Sequence, residues 1–228
     1  MKSLFINHHG FFPGIVVLVM LLTLSSCDTT QSDLNSSPEL RIQMQVISES
    51  EAMKSLLSSA QNDLTIEEVK LYIDEMELEG ENIELEVRNF IVNLPLDGSP
   101  FVIVEQIAPE GVYNEFELEI EKPDDDVEVD DRDFRDETGS YSVVVKGIYD
   151  GEEFTFRSSE DFEIDIDLDP PMVISDAKDE TLTIGVDITG WFKGKDGETL
   201  DPKDFQNTET INDNIERSFE IFEDYYDN

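Results

Sequence analysis

The sequence predicts a mainly β fold: an antiparallel β-sandwich of about eight or nine strands with a C-terminal helix. Three observations carry this. Apolar residues alternate with acidic or polar ones in short runs between Leu40 and Ile188. Turn signals such as Gly80-Glu81-Asn82 and Asp150-Gly151 separate the runs. Only at Ile211, Ile215, Phe219, Phe222 and Tyr226 does the spacing become helical.

The chain opens with Met1-Lys2, an apolar run from Phe11 to Leu24, and then Leu24-Ser25-Ser26-Cys27. A short basic start, an apolar core and small residues are in the order of a signal peptide. The apolar run is broken by Pro13-Gly14 and falls short of the ~20 residues a membrane-spanning helix needs. Leu24-Ser25-Ser26-Cys27 resembles the lipobox of bacterial lipoproteins. That resemblance implies cleavage before Cys27, acyl chains on its thiol and attachment to a membrane. The alternative is an ordinary secretory signal ending at a chance cysteine. Cys27 is the only cysteine, so an intrachain disulfide is excluded. The expected organisation is a signal peptide at 1–26, the lipidated cysteine and a flexible tether at 27–38, and one β-sandwich domain at 39–228. The expected location is the cell envelope, periplasmic or surface-exposed, with the outer membrane favoured over the inner. Asp28 leaves the leaflet open.

The formal net charge is −40; loss of residues 1–26, which hold one lysine and no acid, makes it −41. Nucleic acid and anionic membrane surfaces would be repelled by such a chain. Divalent cations, basic partners or a saline medium suit it. Both histidines, His8 and His9, lie in the expected leader. From Cys27 onward the chain has no histidine, and its single cysteine is the one expected to be acylated. That excludes Ser-His-Asp and Cys-His catalysis and the usual zinc and copper sites. Oxygen-ligand metals, above all calcium, remain.

Leu40, Ile42, Met44 and Val46 alternate with polar residues as a half-buried strand. Residues 49–61 suit a short helix or an excursion. Thr65-Ile66-Glu67-Glu68 could cap a helix, but Val69, Leu71 and Ile73 alternate, and so do Met76 and Leu78 after a slip at Asp74-Glu75. We take 64–79 as a strand with bulges. Ile83, Leu85 and Val87, continued after a second slip by Phe90 and Val92, make the next strand, and Phe101–Val104 another. Pro109 and Gly111 turn the chain into a strand with Phe116, Leu118 and Ile120 on one face. Residues 121–138 hold ten acids and three bases and read as a long loop, with room for an edge ribbon around Val127 and Val129. Tyr141–Tyr149 and Phe154–Phe156 form a hairpin about Asp150-Gly151. Phe162, Ile164, Ile166 and Leu168 make a strand stopped by Pro170-Pro171, and Leu182, Ile184, Val186 and Ile188 make the last. Thr210 and Asp213 could open the helix as a weakened capping box.

Pro109-x-Gly111-x-Tyr113 feeding a strand resembles the corner of transthyretin-like β-sandwich modules, in which the tyrosine packs at the turn. The order of elements extends the likeness. It runs through the Val69–Leu78 strand, Gly111-Val112-Tyr113, Gly147-x-x-x-Gly151, Trp191-Phe192 and Asn214-Ile215-x-x-Ser218-Phe219. In that order the chain resembles an uncharacterised family of Gram-negative lipoproteins with one β-sandwich domain of unknown function. The resemblance implies no catalytic residue.

The residues offer four candidate sites. The acidic loop presents Asp124, Asp126, Asp130, Asp131 and Asp133 to calcium, although it lacks EF-hand order; the other reading is a solvated loop. Asp165, Asp167 and Asp169 share one strand face, either as an outward sheet face or as a glycosidase pair. Asp196-Gly197-Glu198 with Asp201 is a tight turn or a weak cation loop. Trp191 either stacks on a sugar or packs the core. The expected activity is non-enzymatic: an envelope β-sandwich, held to a membrane through Cys27, that binds an unidentified protein or glycan and needs no cofactor. The alternative is a calcium-dependent adhesion or ligand-binding module, and behind it a carboxylate-based glycan hydrolase.

Overall fold

The computed structural model describes residues 39–47, 64–175 and 178–223, the last three by backbone alone. The chain divides into Met1–Asn35 and Ser36–Asn228, and every described residue belongs to the second unit. The leader, Cys27, the tether, the excursion at 49–61 and Tyr226 lie outside the described residues.

Twelve strands are described: β1 Glu39–Val46, β2 Leu64–Gly80, β3 Ile83–Asn93, β4 Phe101–Ile107, β5 Gly111–Ile120, β6 Arg135–Asp136, β7 Gly139–Ser140, β8 Val143–Tyr149, β9 Glu152–Ser158, β10 Phe162–Ile174, β11 Glu180–Val186 and β12 Phe219–Glu223. One α-helix, α1 Thr208–Glu216, precedes β12. A four-stranded sheet runs β12-β11-β1-β4, and a larger sheet is built on β2. Ile42, Met44, Leu182 and Ile184 of the first sheet share one buried cluster with Leu71, Met76, Phe116 and Leu118 of the second. The mainly β sandwich predicted from alternation is therefore the fold.

The larger sheet has an unusual plan. β3 pairs one edge of β2. Along the other edge two strands lie end to end: β8 opposite Leu64–Leu71, and β5 opposite Glu75–Gly80. Beyond them β9 pairs β8 and β10 pairs β5. The sheet thus has four lanes, and the third is interrupted between Ile120 and Val143 by an insert. The predicted slip at Asp74 falls where the partner of β2 changes from β8 to β5. The slip in β3 lies across from it: Asp74 and Asn89, whose φ is +56°, fall between the pairs Ile73–Phe90 and Glu75–Arg88.

The Asp150-Gly151 hairpin has both residues at positive φ, +50° and +78°, as a type I′ turn requires. Tyr113 is fully buried, and its hydroxyl donates to the Pro109 carbonyl at 3.0 Å, tying the turn to the strand it feeds.

Several expectations are corrected. β10 runs through Pro170-Pro171 to Ile174, because it pairs only β5 and its register shifts between Asp167 and Met172. A proline lacking an N–H is tolerated on such an edge. β11 is not the last strand, and it lies parallel to β1. The helical spacing from Ile211 onward holds only to Ile215. Phe219 and Phe222 belong to β12, which pairs β11. Thr210 does not open the helix. The chain enters α1 through a 3-10 turn, Phe205–Asn207, whose cap is Asp204, accepting from the Gln206 N–H.

Candidate functional site

The outer face of the large sheet is divided in two. On the β5–β10 half, alternation sends Met76, Leu78, Phe116, Leu118 and Ile164 into the core. Their neighbours point outward, and the register aligns them in rows. One row is Arg88, Glu75, Glu119, Glu163; the next is Glu86, Glu77, Glu117, Asp165; the third is Glu84, Glu79, Glu115, Asp167. Eleven carboxylates and one guanidinium fill twelve positions. Like charges directly opposite on neighbouring strands are destabilising.

Three overlapping triads within this grid bring carboxylate oxygens within 4.8 Å of one another: Glu75, Glu77, Glu86; Glu77, Glu79, Glu117; and Glu117, Glu163, Asp165. These are acidic clusters that could hold a metal. Arg88 ion-pairs with Glu75 and Glu86 and reaches Glu77 at 3.9 Å. Hydrogen bonding to Glu75, followed by burial and Glu79, pushes the Glu77 carboxyl up to about 8. Burial raises Glu117, with Asp165 and Glu163 adding to it; burial with Glu121 and Glu75 raises Glu119. Crowding disfavours the charged form wherever no cation answers it.

The other half of the face is covered by the chain itself. The 121–142 insert is not a solvated loop. Phe134 is fully buried beside Tyr72, with ring centroids 5.9 Å apart, and Val144 completes the cluster. Val127 and Val129 pack against it but form no strand; the only ribbon in the insert is the short β6–β7 pair. Arg135 holds the insert together from within. Its guanidinium donates to the carbonyls of Pro123, Asp124 and Val127 at 2.6, 2.5 and 2.7 Å, and to Ser140 Oγ at 3.0 Å.

This packing decides the fate of the predicted calcium ligands. Lys70 Nζ donates to Asp131 and Asp133, each at 2.8 Å, and Lys146 Nζ reaches Asp133 at 2.5 Å and Glu68 at 2.8 Å. Burial alone would lower the Lys70 ammonium, but its hydrogen bonds to Asp131 and Asp133 raise it. Burial would raise Asp131 and Asp133, but the lysines hold both below the usual carboxylate range. Asp124, Asp126 and Asp130 are exposed. None of the described carboxylate groupings able to hold a metal contains any of the five.

Trp191 is fully buried, and its Nε1 donates to Ser218 Oγ at 2.8 Å. Phe192 beside it meets Phe154 and Phe156 edge-on at 5.8 and 5.7 Å. Trp191 therefore belongs to the core and offers no stacking platform. Asp165 and Asp167 lie outward in the grid, while Asp169 falls in the register gap of β10. Gly197, at φ +82°, closes a tight turn on Gly194, and the Asp196 N–H donates to Glu198. The grid itself was missed at the sequence level. Its signal was the acid at every second position, but which acids face one another depends on pairing. Among the described residues, no helix is long and apolar enough to cross a membrane. No family model, curated protein or solved structure matches the chain.

Proposed function

We propose that this chain is a lipid-anchored, non-enzymatic protein of the cell envelope, outer membrane rather than inner, whose β-sandwich binds a cationic partner on its carboxylate-lined sheet face. The observation that carries this reading is the eleven-carboxylate grid in strict cross-strand register. The covered half of the same face supports it. Where that face presents two lysines, the chain's own acidic insert neutralises them; where it presents acids, Arg88 is the one basic side chain among the described residues that does. The remaining charge is available to an external cation, such as a basic protein surface or an amino-bearing glycan. Attachment rests on Cys27 at the end of the apolar leader and on the family resemblance. Two measurements test the reading. Cells fed a labelled fatty acid are expected to label the parent and not Cys27→Ser. A deca-lysine peptide is expected to bind the full chain in a salt-dependent manner and to lose at least about tenfold in affinity on Glu117→Lys, a change of about 1.4 kcal/mol. Retained label on Cys27→Ser, or unchanged peptide affinity, would defeat the corresponding half.

A second reading, calcium-dependent binding, is favoured by the three triads. Millimolar calcium is then expected to raise the thermal midpoint of the parent and not of Glu77→Gln/Glu117→Gln. No shift in the parent would remove this reading.

A further inference from the structure

We propose that one end of the sandwich is a bilayer contact: Ile107, Val112 and Val173 rest on a zwitterionic lipid surface beside the anchor. The proposal builds on acylation of Cys27 and adds a second, non-covalent contact made by the folded domain. The pairing defines this end. β1 starts here, with Glu39 opposite Ile107, the last residue of β4. β11 starts beside Leu40. Three residues after Ile107 the chain enters β5, whose Gly111 faces Ile174 at the end of β10. The β2–β3 turn closes here too, with Gly80 paired to both Ile83 and Tyr113.

Five large apolar side chains are exposed among the described residues, and three of them gather at this end: Ile107 at 67%, Val112 at 50% and Val173 at 55%. Val112 and Val173 stand directly opposite each other on neighbouring strands, beyond the third row of the grid. Ile83, half-buried, lies over Gly111, where an added Cβ would meet its Cδ1 at 2.0 Å. Clustered apolar exposure marks a contact surface.

Size and charge select the partner. A stable protein interface takes ~800 Å² from each side, far more than three aliphatic side chains offer. A second copy would bring the exposed acids Glu39, Glu81, Glu110 and Asp179 against their own kind. The bilayer needs no large area, because it is already held close. Twelve residues separate Cys27 from Glu39, a reach of at most about 40 Å. Tethering removes most of the association cost, so a small apolar contact suffices. The acidic rim requires that the lipid carry no net charge, and it suits headgroups whose outermost group is an ammonium.

The test places the acylated chain, one copy per disc, in phosphatidylcholine nanodiscs that contain a phospholipid with a diazirine in its acyl chain. After illumination, adducts are located residue by residue by mass spectrometry. They are expected at 107–113 and 172–174 at least about fivefold above Val102 and Phe205, the two exposed apolar residues elsewhere. Ile107→Asp with Val173→Asp should remove the adducts around Val112. Unchanged thermal midpoints verify the fold, and Ile107→Thr with Val173→Thr replaces that pair should the aspartates unfold it. Phosphatidylglycerol discs at low salt should reduce the adducts at least about threefold. The inference is overturned if adducts are absent from this end, if they follow exposure over the whole surface, or if both variants keep them. Failure of the anchor is read separately. A chain that takes up no labelled fatty acid defeats acylation, and the same discs are then loaded with the chain coupled through Cys27 to a maleimide phospholipid, where the adduct pattern alone decides the contact.

Discussion

Replacing Glu77 with glutamine tests whether the acidic face is under electrostatic stress. Glu77 sits in the middle of the grid, facing Glu86 and Glu117 across strands and flanked by Glu75 and Glu79 on its own. Its carboxyl is raised from an ordinary 4.5 to about 8. Between those two values the folded chain holds a proton that the unfolded chain has released. Stability therefore falls as pH rises through that window, by up to about 1.4 kcal/mol per pH unit for one proton. The whole shift corresponds to about 5 kcal/mol. Solvent screening at the sheet surface reduces this to roughly 2–3 kcal/mol. Glutamine keeps the shape, carries no charge, and donates N–H groups where the protonated acid donated its O–H. In urea unfolding of the full chain with chelator present, parent and Glu77→Gln are expected to be equally stable at pH 5. At pH 9 the variant should be more stable by roughly 2–3 kcal/mol. Parallel stability profiles across pH, or a variant less stable at pH 9, would refute the reasoning.

Three further outcomes are expected. Phe134→Ala should destabilise by about 3–5 kcal/mol, the usual loss for a buried ring, and expose 124–137 to protease before the sandwich itself is cut. Trp191 is the only tryptophan, so its fluorescence should be blue-shifted, shielded from acrylamide and insensitive to sugars; Trp191→Phe should cost about 1–3 kcal/mol for the bond lost to buried Ser218. Gly147→Ala should cost about 2–3 kcal/mol in a thermal melt, because its Cβ would stand 2.0 Å from the Thr65 carbonyl oxygen in the β2–β8 pair.

Most of the strands could be read from period-two alternation, because one face of each meets a shared core. Where the period broke, at Asp74 and after Val87, the sequence also located the point at which pairing changes partners. Other features were illegible for physical reasons. A strand that comes directly after a helix, as β12 does after α1, keeps apolar residues near helical spacing, and only the pairing with β11 distinguishes them. Parallel pairing of β1 with β11 leaves no local mark. The insert looked solvated because its acids outnumber its apolar residues, yet Phe134 buries it against Tyr72 and Arg135 ties its backbone together. Lys70 and Lys146, which claim Asp131 and Asp133, lie on two other strands, so no local window reveals the pairing. The grid was legible one strand at a time and invisible across strands.

The charge crowded on the grid can be relieved in three ways: by a proton, by Arg88, or by an external cation. All three act on the same oxygens, so they must compete. Arg88 is fixed and answers one row best. At neutral pH a proton on Glu77 answers the next row, and a divalent cation entering the Glu77, Glu79, Glu117 triad has to displace it. Calcium binding, if it occurs there, is therefore expected to release close to one proton per ion at pH 7 and to strengthen about tenfold per pH unit between roughly 5 and 8. Calorimetry of the full chain in two buffers of different ionisation enthalpy measures that proton directly. A heat of binding independent of buffer would place calcium away from Glu77. A basic polypeptide lying over the face need not displace the proton, because its ammonium groups can settle on Glu115, Glu119 or Glu163 instead. Proton release thus separates the two readings of the same surface.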